Sequence, residues 1–418
     1  MRFIYSLFIF LFSVFMRIAA LFNAKAKLWV EGRKNILTKI KSQFQNHNYK
    51  IIWFHCASLG EFEQGRPLIE SLKKQQPEVK ILLTFFSPSG YEIRKNYSGA
   101  DWVFYLPLDT RSNAKEFVSI VNPAKAIFVK YEFWFHYLQE LHAKNIPIYF
   151  VSVNVRANHY FLKPYGKWAL KQLKNVTHFF VQNITSFDLL TNAGITQCTI
   201  AGDTRFDRVY TISQFAQNFP LVAKFPNDSK IIVAGSTWHE DEKLLSKLLL
   251  EFQSANSKPE TRNLKLIVAP HEIDEPNLKQ VEAIFSTSKI IRYSKASNTN
   301  LADYDVLLID NIGMLSSLYQ HATLCYIGGG FGKGIHNILE AAVFGKPILF
   351  GPNYQKFEEA KTLVSLGGAI VIEDFNSLQK AIQPLLNDEN MYLQKCNISK
   401  SFVLENLGAV DKILKAIA

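Results

Sequence analysis

The chain has 418 residues, 48% hydrophobic and 20% charged, with a formal net charge of +11. That length exceeds one compact core and suits two domains, and the apolar content excludes extensive disorder. Four scattered cysteines (Cys56, Cys198, Cys325, Cys396) form no CxxC pair, which argues against a disulfide framework or zinc site and fits a reducing compartment.

The first element is FIYSLFIFLFSVFM (Phe3–Met16), which carries no charge. Around it, the first 50 residues hold nine Lys or Arg against the single acid Glu31. An apolar run beside cations predicts attachment to the lipids of an anionic membrane surface better than contact with nucleic acid, which is not expected as a partner. Fourteen residues make a helix of about 21 Å, short of a ~30 Å hydrocarbon core. Continuing through RIAALFNA gives enough length, with Arg17 snorkelling to a headgroup. Arg17 also interrupts the run before the small residues Ala24 and Ala26, which argues against a cleaved signal peptide. Residues 1–24 are therefore expected to anchor the chain, with spanning and surface-lying both open.

From residue 51 onward, short apolar runs alternate with helical patterns. IIWFHCA, KILLTFF, WVFYLPL, KAIFVK, IPIYFVSV and HFFVQN form one series of strand-like segments. KIIVAGS, LKLIVAP, KIIRYS, DVLLID, LCYIGGG, KPILFGP and GAIVI form a second. Such alternation predicts an α/β protein with two doubly wound parallel sheets, residues 25–210 and 230–395, facing a cleft. The proline-containing stretch 211–229 reads as a linker, and 396–418 as a C-terminal helix that packs back on the first domain.

Ligands of doubly wound sheets bind at the C-terminal ends of the strands. In the first series, ASLGE ends a strand and hands Glu61 to a helix start. Ser58 shares that turn, and Ser89, Glu132, Asn154 and Arg156 follow other strands, a mix of hydroxyls, carboxylates and a cation that suits a polar sugar on a greasy carrier. For Glu61 and Glu132 a purely structural carboxylate stays open. His55, His136 and His178 read as structural histidines, and no HxxxH or clustered Asp/His spacing predicts a metal.

In the second series, YIGGGFGKGIHNILEAAVFG runs from a strand through five glycines to a helix expected to end at Gly345. Asn337 is a candidate N-cap, and Glu340, one turn in, can accept from ribose hydroxyls. The loop matches neither a Walker loop nor GxGxxG. Turns at Ser236–Thr237, Pro270–His271 and Gly313–Met314 fall at the same edge.

The segments HCASLGEFEQGRPLIESL, FFSPSGYE, VNVRANHY, AGDTRFD, GSTWHEDE, APHE, DNIGMLSSLY and GGGFGKGIHNILEAAVFGKPILFGPNYQKFEEA resemble, in this order, the 3-deoxy-D-manno-octulosonic acid (Kdo) transferases. The resemblance runs from the apolar N-terminus to about residue 375. It implies a GT-B glycosyltransferase on the cytoplasmic side of the cell inner membrane, with no cofactor and no metal. The donor it implies is CMP-Kdo, bound by the C-terminal domain, and the acceptor a lipid A precursor (lipid IV-A), bound by the N-terminal one. By the same resemblance Glu61 matches the general base. Pro270, His271, Ile312, Gly313, Met314, Asn337, Ile338, Leu339 and Glu340 match the CMP-contacting segments. The chain departs from the family where Arg often replaces His271 and an acidic residue often replaces Met314. A UDP-sugar enzyme of the same fold, a glycosyltransferase or a 2-epimerase, is the rival reading, and a nucleotide-sugar binding protein without turnover is a third.

Overall fold

The computed structural model describes residues 2–44, 49–225, 229–253, 264–297 and 299–417. The chain divides into two compact units, Met1–Asp207 with Leu407–Ala418, and Arg208–Asn406.

The first unit contains β1 (Ile51–Cys56), β2 (Lys80–Phe85), β3 (Trp102–Tyr105), β4 (Lys125–Val129), β5 (Ile148–Val153), β6 (His178–Val181) and β7 (Cys198–Ile200). All pairs are parallel, in the order β3-β2-β1-β4-β5-β6-β7. Every residue of β1 is buried, because helices cover both sheet faces and leave no side for polar residues. The three-residue β7 is absent from the sequence reading. Thr199 and Ile200 are exposed at the sheet edge, so no apolar run marks the strand.

Four helices precede or follow the first strands: α1 (Arg2–Ala19), α2 (Ala24–Gly32), α3 (Ile36–Gln43) and α4 (Leu59–Gln75). A fifth, α5 (Pro88–Arg94), follows β2. Asn23 caps α2 by accepting from the Ala26 N–H at 3.1 Å. From the end of α2, Arg33 donates to the carbonyls of Trp29, Phe86 and Leu106 at 3.1, 2.8 and 2.9 Å. Its guanidinium also lies 4.1 Å from the Trp29 ring centroid and 4.7 Å from that of Phe86. One side chain thus ties the N-terminal helices to the loops that follow β2 and β3.

The second unit contains β8 (Lys230–Thr237), β9 (Leu264–Pro270), β10 (Ile290–Arg292), β11 (Val306–Leu308), β12 (Leu324–Ile327), β13 (Ile348–Phe350) and β14 (Ala369–Val371). Its order is β10-β11-β9-β8-β12-β13-β14, again all parallel. Each sheet has a switch point beside its first strand, between β1 and β4 and between β8 and β12, and in the second sheet β11 also lies between β9 and β10. At such a switch point the connections diverge to opposite faces and leave a crevice outside the strand ends.

Two expectations change. The stretch read as linker holds helical residues up to Gln214 and a short helix Pro220–Ala223, while 226–228 lie outside the described residues. The closing stretch is two helices, Glu389–Glu405 in the second unit and Ala409–Ile417 in the first. Asp207 fixes the break by accepting from the N–H groups of Gly408 at 2.7 Å and Val410 at 3.2 Å. The last helix then buries Val410, Ile413, Leu414 and Ile417 with the core of α4 and β1.

Candidate active site

The first switch point is built by the residues after β1 and β4. Glu61 sits in the first turn of α4, and one of its oxygens, Oε2, accepts from the Ser58 N–H and the Ser58 hydroxyl, both at 2.6 Å. This is the Glu half of a capping box, so Glu61 has a structural task as well as a position. Gly65 lets α4 lie close: a Cβ there would stand 3.1 Å from Cys56 Sγ and 3.0 Å from Val129 Cγ2. The helix start, and with it Glu61, is thereby fixed against β1 and β4.

Across the switch point, Lys130 leaves β4 in the left-handed region at φ 64°, a strained conformation for a non-glycine residue. Glu132 follows at once. Burial, then the nearby charge of Glu61, pushes its carboxyl up to about 8, so it carries its proton at neutral pH. The same carboxylates, with burial first, hold the Cys56 thiol well above its ordinary range. Glu61 and Glu132 therefore share one electrostatic environment.

Ser89 lies at the start of α5, its hydroxyl 2.9 Å from that of Ser87. The loop that carries it is joined to the Ser58 loop by the Phe86 and Ser87 N–H groups, which donate to the Ala57 carbonyl at 3.2 and 2.7 Å. Asn154 and exposed Arg156 follow β5 at the same sheet edge, one strand beyond Glu132. The histidines have structural partners: His55 lies between Thr84 and Trp134 at 2.9 and 3.0 Å, and burial lowers its pKa to about 3. His136 contacts Ser6 at 3.0 Å, and His178 contacts Thr199 at 2.9 Å.

The second switch point is organised by a residue absent from the sequence reading. Buried Asp241 accepts from Trp238 N–H at 2.9 Å, Gly329 N–H at 2.9 Å and the Tyr326 hydroxyl at 2.7 Å. It pins the glycine loop after β12 to the turn after β8. The glycines themselves serve chain packing first. A Cβ at Gly328 would stand 2.3 Å from the Ser236 carbonyl oxygen, and one at Gly330 2.5 Å from the Gly351 nitrogen. Both clashes are with backbone, so chain packing alone requires glycine at these two positions.

The helix after the loop is shorter than expected, Leu339–Ala342, with turns continuing to Gly345. A single turn sums few peptide dipoles, so its N-terminal field is weak. Asn337 does cap it: its Oδ1 accepts from Leu339 N–H at 3.1 Å and its Nδ2 donates to Glu340 at 3.0 Å. His271, Trp238 and His336 form a ring stack, with His271 4.7 Å from Trp238 and 4.4 Å from His336. Burial, then His271, lowers the His336 pKa to about 4, so the stack is uncharged at His336. Ile312 is 88% exposed beside Gly313, whereas Pro270, Met314, Ile338 and Leu339 are buried. Of the donor-site set, contacts join His271 to the Asn337 loop and Asn337 to Glu340. The Ile312–Met314 turn shares their sheet edge, after β11.

The stack and Asp241 were visible as letters in VAGSTWHEDE and GIHN, but no periodicity links residues almost a hundred positions apart. Among the described residues, no group of three or more His, Cys, Asp or Glu is arranged to hold a metal.

Two doubly wound parallel sheets, each with its chemistry at the switch point, define a GT-B type protein. Residues 31–208 match the family model of 3-deoxy-D-manno-octulosonic-acid transferase (kdotransferase). The 3-deoxy-D-manno-octulosonic acid transferase of Haemophilus influenzae is 25% identical over 378 residues, 87% of this chain and 85% of that protein. That of Aquifex aeolicus is 28% identical over 323 residues, 76% of this chain and 80% of its own. Among solved structures, the UDP-GlcNAc 2-epimerase of Neisseria meningitidis bound to UDP-GlcNAc gives a TM-score of 0.61 at 16% identity. It covers 88% of this chain and 99% of that one, a likeness of fold. These likenesses, to the family model over the first unit and to curated Kdo transferases over most of the chain, support a Kdo-transferring glycosyltransferase.

Proposed function

We propose that the protein transfers Kdo from CMP-Kdo to a lipid A precursor, lipid IV-A, at the cytoplasmic side of the inner membrane, without a metal. The acceptor hydroxyl attacks the anomeric carbon of Kdo, the new C–O bond forms, and the bond to CMP breaks. Glu61 takes the hydroxyl proton on Oε1, the oxygen its cap leaves without a described partner. Glu132, neutral at pH 7, donates a hydrogen bond to the acceptor or to Kdo rather than competing for that proton. Ser58, Ser89, Asn154 and Arg156 supply further polar contacts to the two sugars.

CMP is held by the second unit. Pro270, Met314, Ile338 and Leu339 act through their backbones, His271 through its ring, and Ile312 and Gly313 through an open turn. Asn337 orients Glu340, which accepts from the ribose hydroxyls.

One observation carries the reading. The apolar helix α1 packs on the residues that follow β2, β3 and β4, the sheet edge that also holds Glu61. A base beside a lipid-seeking surface suits an acceptor that arrives in the membrane. The test is incubation of the purified chain with CMP-Kdo and a tetra-acyl lipid A precursor, with products read by mass. The reading expects Kdo-bearing lipid, unaffected by a metal chelator. Turnover of UDP-sugars with none of CMP-Kdo would hand the case to the rival.

A further inference from the structure

Helix α1 has two faces of opposite use. Along one side Ile9 is buried, and Tyr5, Phe12, Ser13, Met16 and Ala19 are half-buried. The Tyr5 hydroxyl donates to buried Asp109, which also accepts from the His136 and Tyr137 N–H groups at 3.2 and 3.1 Å. The Tyr5 ring meets Phe135 edge-on at 5.2 Å, and Phe12 lies 5.6 Å from Trp29 and 6.1 Å from Phe86. The opposite side presents Phe3, Ile4, Leu7, Phe8, Leu11 and Phe15, each between 44% and 79% exposed.

A helix that crosses a bilayer gives lipid its whole circumference over about 30 Å. By length and composition α1 is sufficient to cross. What opposes crossing is its docked side, which runs from Tyr5 to Phe12 and beyond. Crossing would require peeling α1 away, which strips the buried Asp109 carboxyl of its Tyr5 donor and uncovers Trp29 and Phe86. Charge fits a surface position. Arg17 and Lys34 line a cavity of about 820 Å³ beside the helix, with Phe10, Val14 and Leu37 as apolar wall. Neither cation has an ion-pair partner among the described residues, and Glu31, which also lines the cavity, pairs with Lys27 at 3.9 Å.

We infer that Arg2–Ala19 lies in the plane of one leaflet of an anionic membrane, docked along its length on the first unit, and does not cross the bilayer. This rests on the membrane-attached reading above. The outer face enters the acyl region, and Arg17 and Lys34 meet lipid phosphates at the headgroup level.

The test uses full-length chains carrying Arg2→Cys or Lys25→Cys, expressed in a Gram-negative host and compared with the parent chain. A membrane-impermeant maleimide is applied to intact spheroplasts and again after permeabilisation. Both positions should be silent in intact spheroplasts and react after permeabilisation. Reaction at Arg2→Cys in intact spheroplasts overturns the proposal, since the helix would then cross. Silence there in both states also overturns it, because a helix at headgroup level keeps its ends wet. Recovery of the parent chain in the soluble fraction defeats the membrane reading itself, a separate result. In a second measurement, Arg17→Gln with Lys34→Gln should weaken binding to phosphatidylglycerol vesicles about tenfold, with binding to phosphatidylcholine vesicles unchanged. Equal binding by variant and parent overturns the anionic contact.

Discussion

At the first switch point, β1 and β4 deliver two carboxyl groups into one environment, one capped by Ser58 and one kept protonated by burial. At the second, β8 and β12 deliver a ring stack, a tight glycine loop and a single capped turn. Each sheet has seven parallel strands and a switch point beside its first strand, so architecture does not account for the difference. It lies in which side chains the strand-end turns leave unsatisfied. At the second edge the carboxyl groups of Asp241 and Glu242 are taken up by backbone N–H groups and by the Tyr326 and Thr237 hydroxyls. At the first, Glu61 keeps one oxygen without a described partner. On the proposed function, proton chemistry belongs to the first edge and donor binding to the second.

That division can be attacked from the second edge first, where the largest effect is expected. Asp241→Ala leaves three donors without their acceptor and should cost about 3 kcal/mol. Hydrogen exchange should rise in residues 326–335 and stay unchanged in 51–61; a rise in both would mean that the edges are not independent. Glu340→Ala should weaken CMP binding by about 2 kcal/mol, read by calorimetry, because ribose hydroxyls lose a charged acceptor. Asn337→Ala removes a cap and should cost about 1 kcal/mol of stability, with a smaller loss of CMP affinity than Glu340→Ala. Equal CMP affinity in all three would reduce the second edge to a turn.

The first edge is sharpened by pH. The Glu132 carboxyl moves from an ordinary value of 4.5 up to about 8 on folding. Between those values the folded chain holds a proton that the unfolded chain releases, so stability contributed at low pH is lost as pH rises through the window. Glu132→Gln keeps the neutral shape and removes the linkage. Its unfolding midpoint relative to the parent should be unchanged near pH 4 and should climb steadily toward pH 8. A difference that does not vary with pH would mean that Glu132 is ionised throughout.

The fold was legible wherever a strand is buried on both faces, since segments such as IIWFHCA and KIIVAGS have no other reading. It was not legible at β7, whose exposed residues leave no apolar trace, nor at Leu407–Gly408, where Asp207 divides one helical pattern into two. The carboxylate of ASLGE and the cap of HNILE could be read from spacing, because strand ends and helix starts are local. The partnership of Glu61 with Glu132 depends on β1 lying beside β4, which no local pattern encodes. Asp241 and the Trp238–His271–His336 stack are likewise products of strand order. The glycines of GGGFGKG were recognised, but the backbone atoms that require Gly328 and Gly330 belong to distant segments.

The most direct test of the division is Glu61→Gln, assayed for transfer from CMP-Kdo and, separately, for CMP-Kdo binding. Glutamine at this position still accepts from Ser58 and preserves the capping box, so the helix start keeps its shape while losing its proton acceptor. The account predicts transfer reduced by about two orders of magnitude or more, with donor affinity unchanged. Near-normal transfer would contradict it, and Glu61 would then be a helix cap and no more.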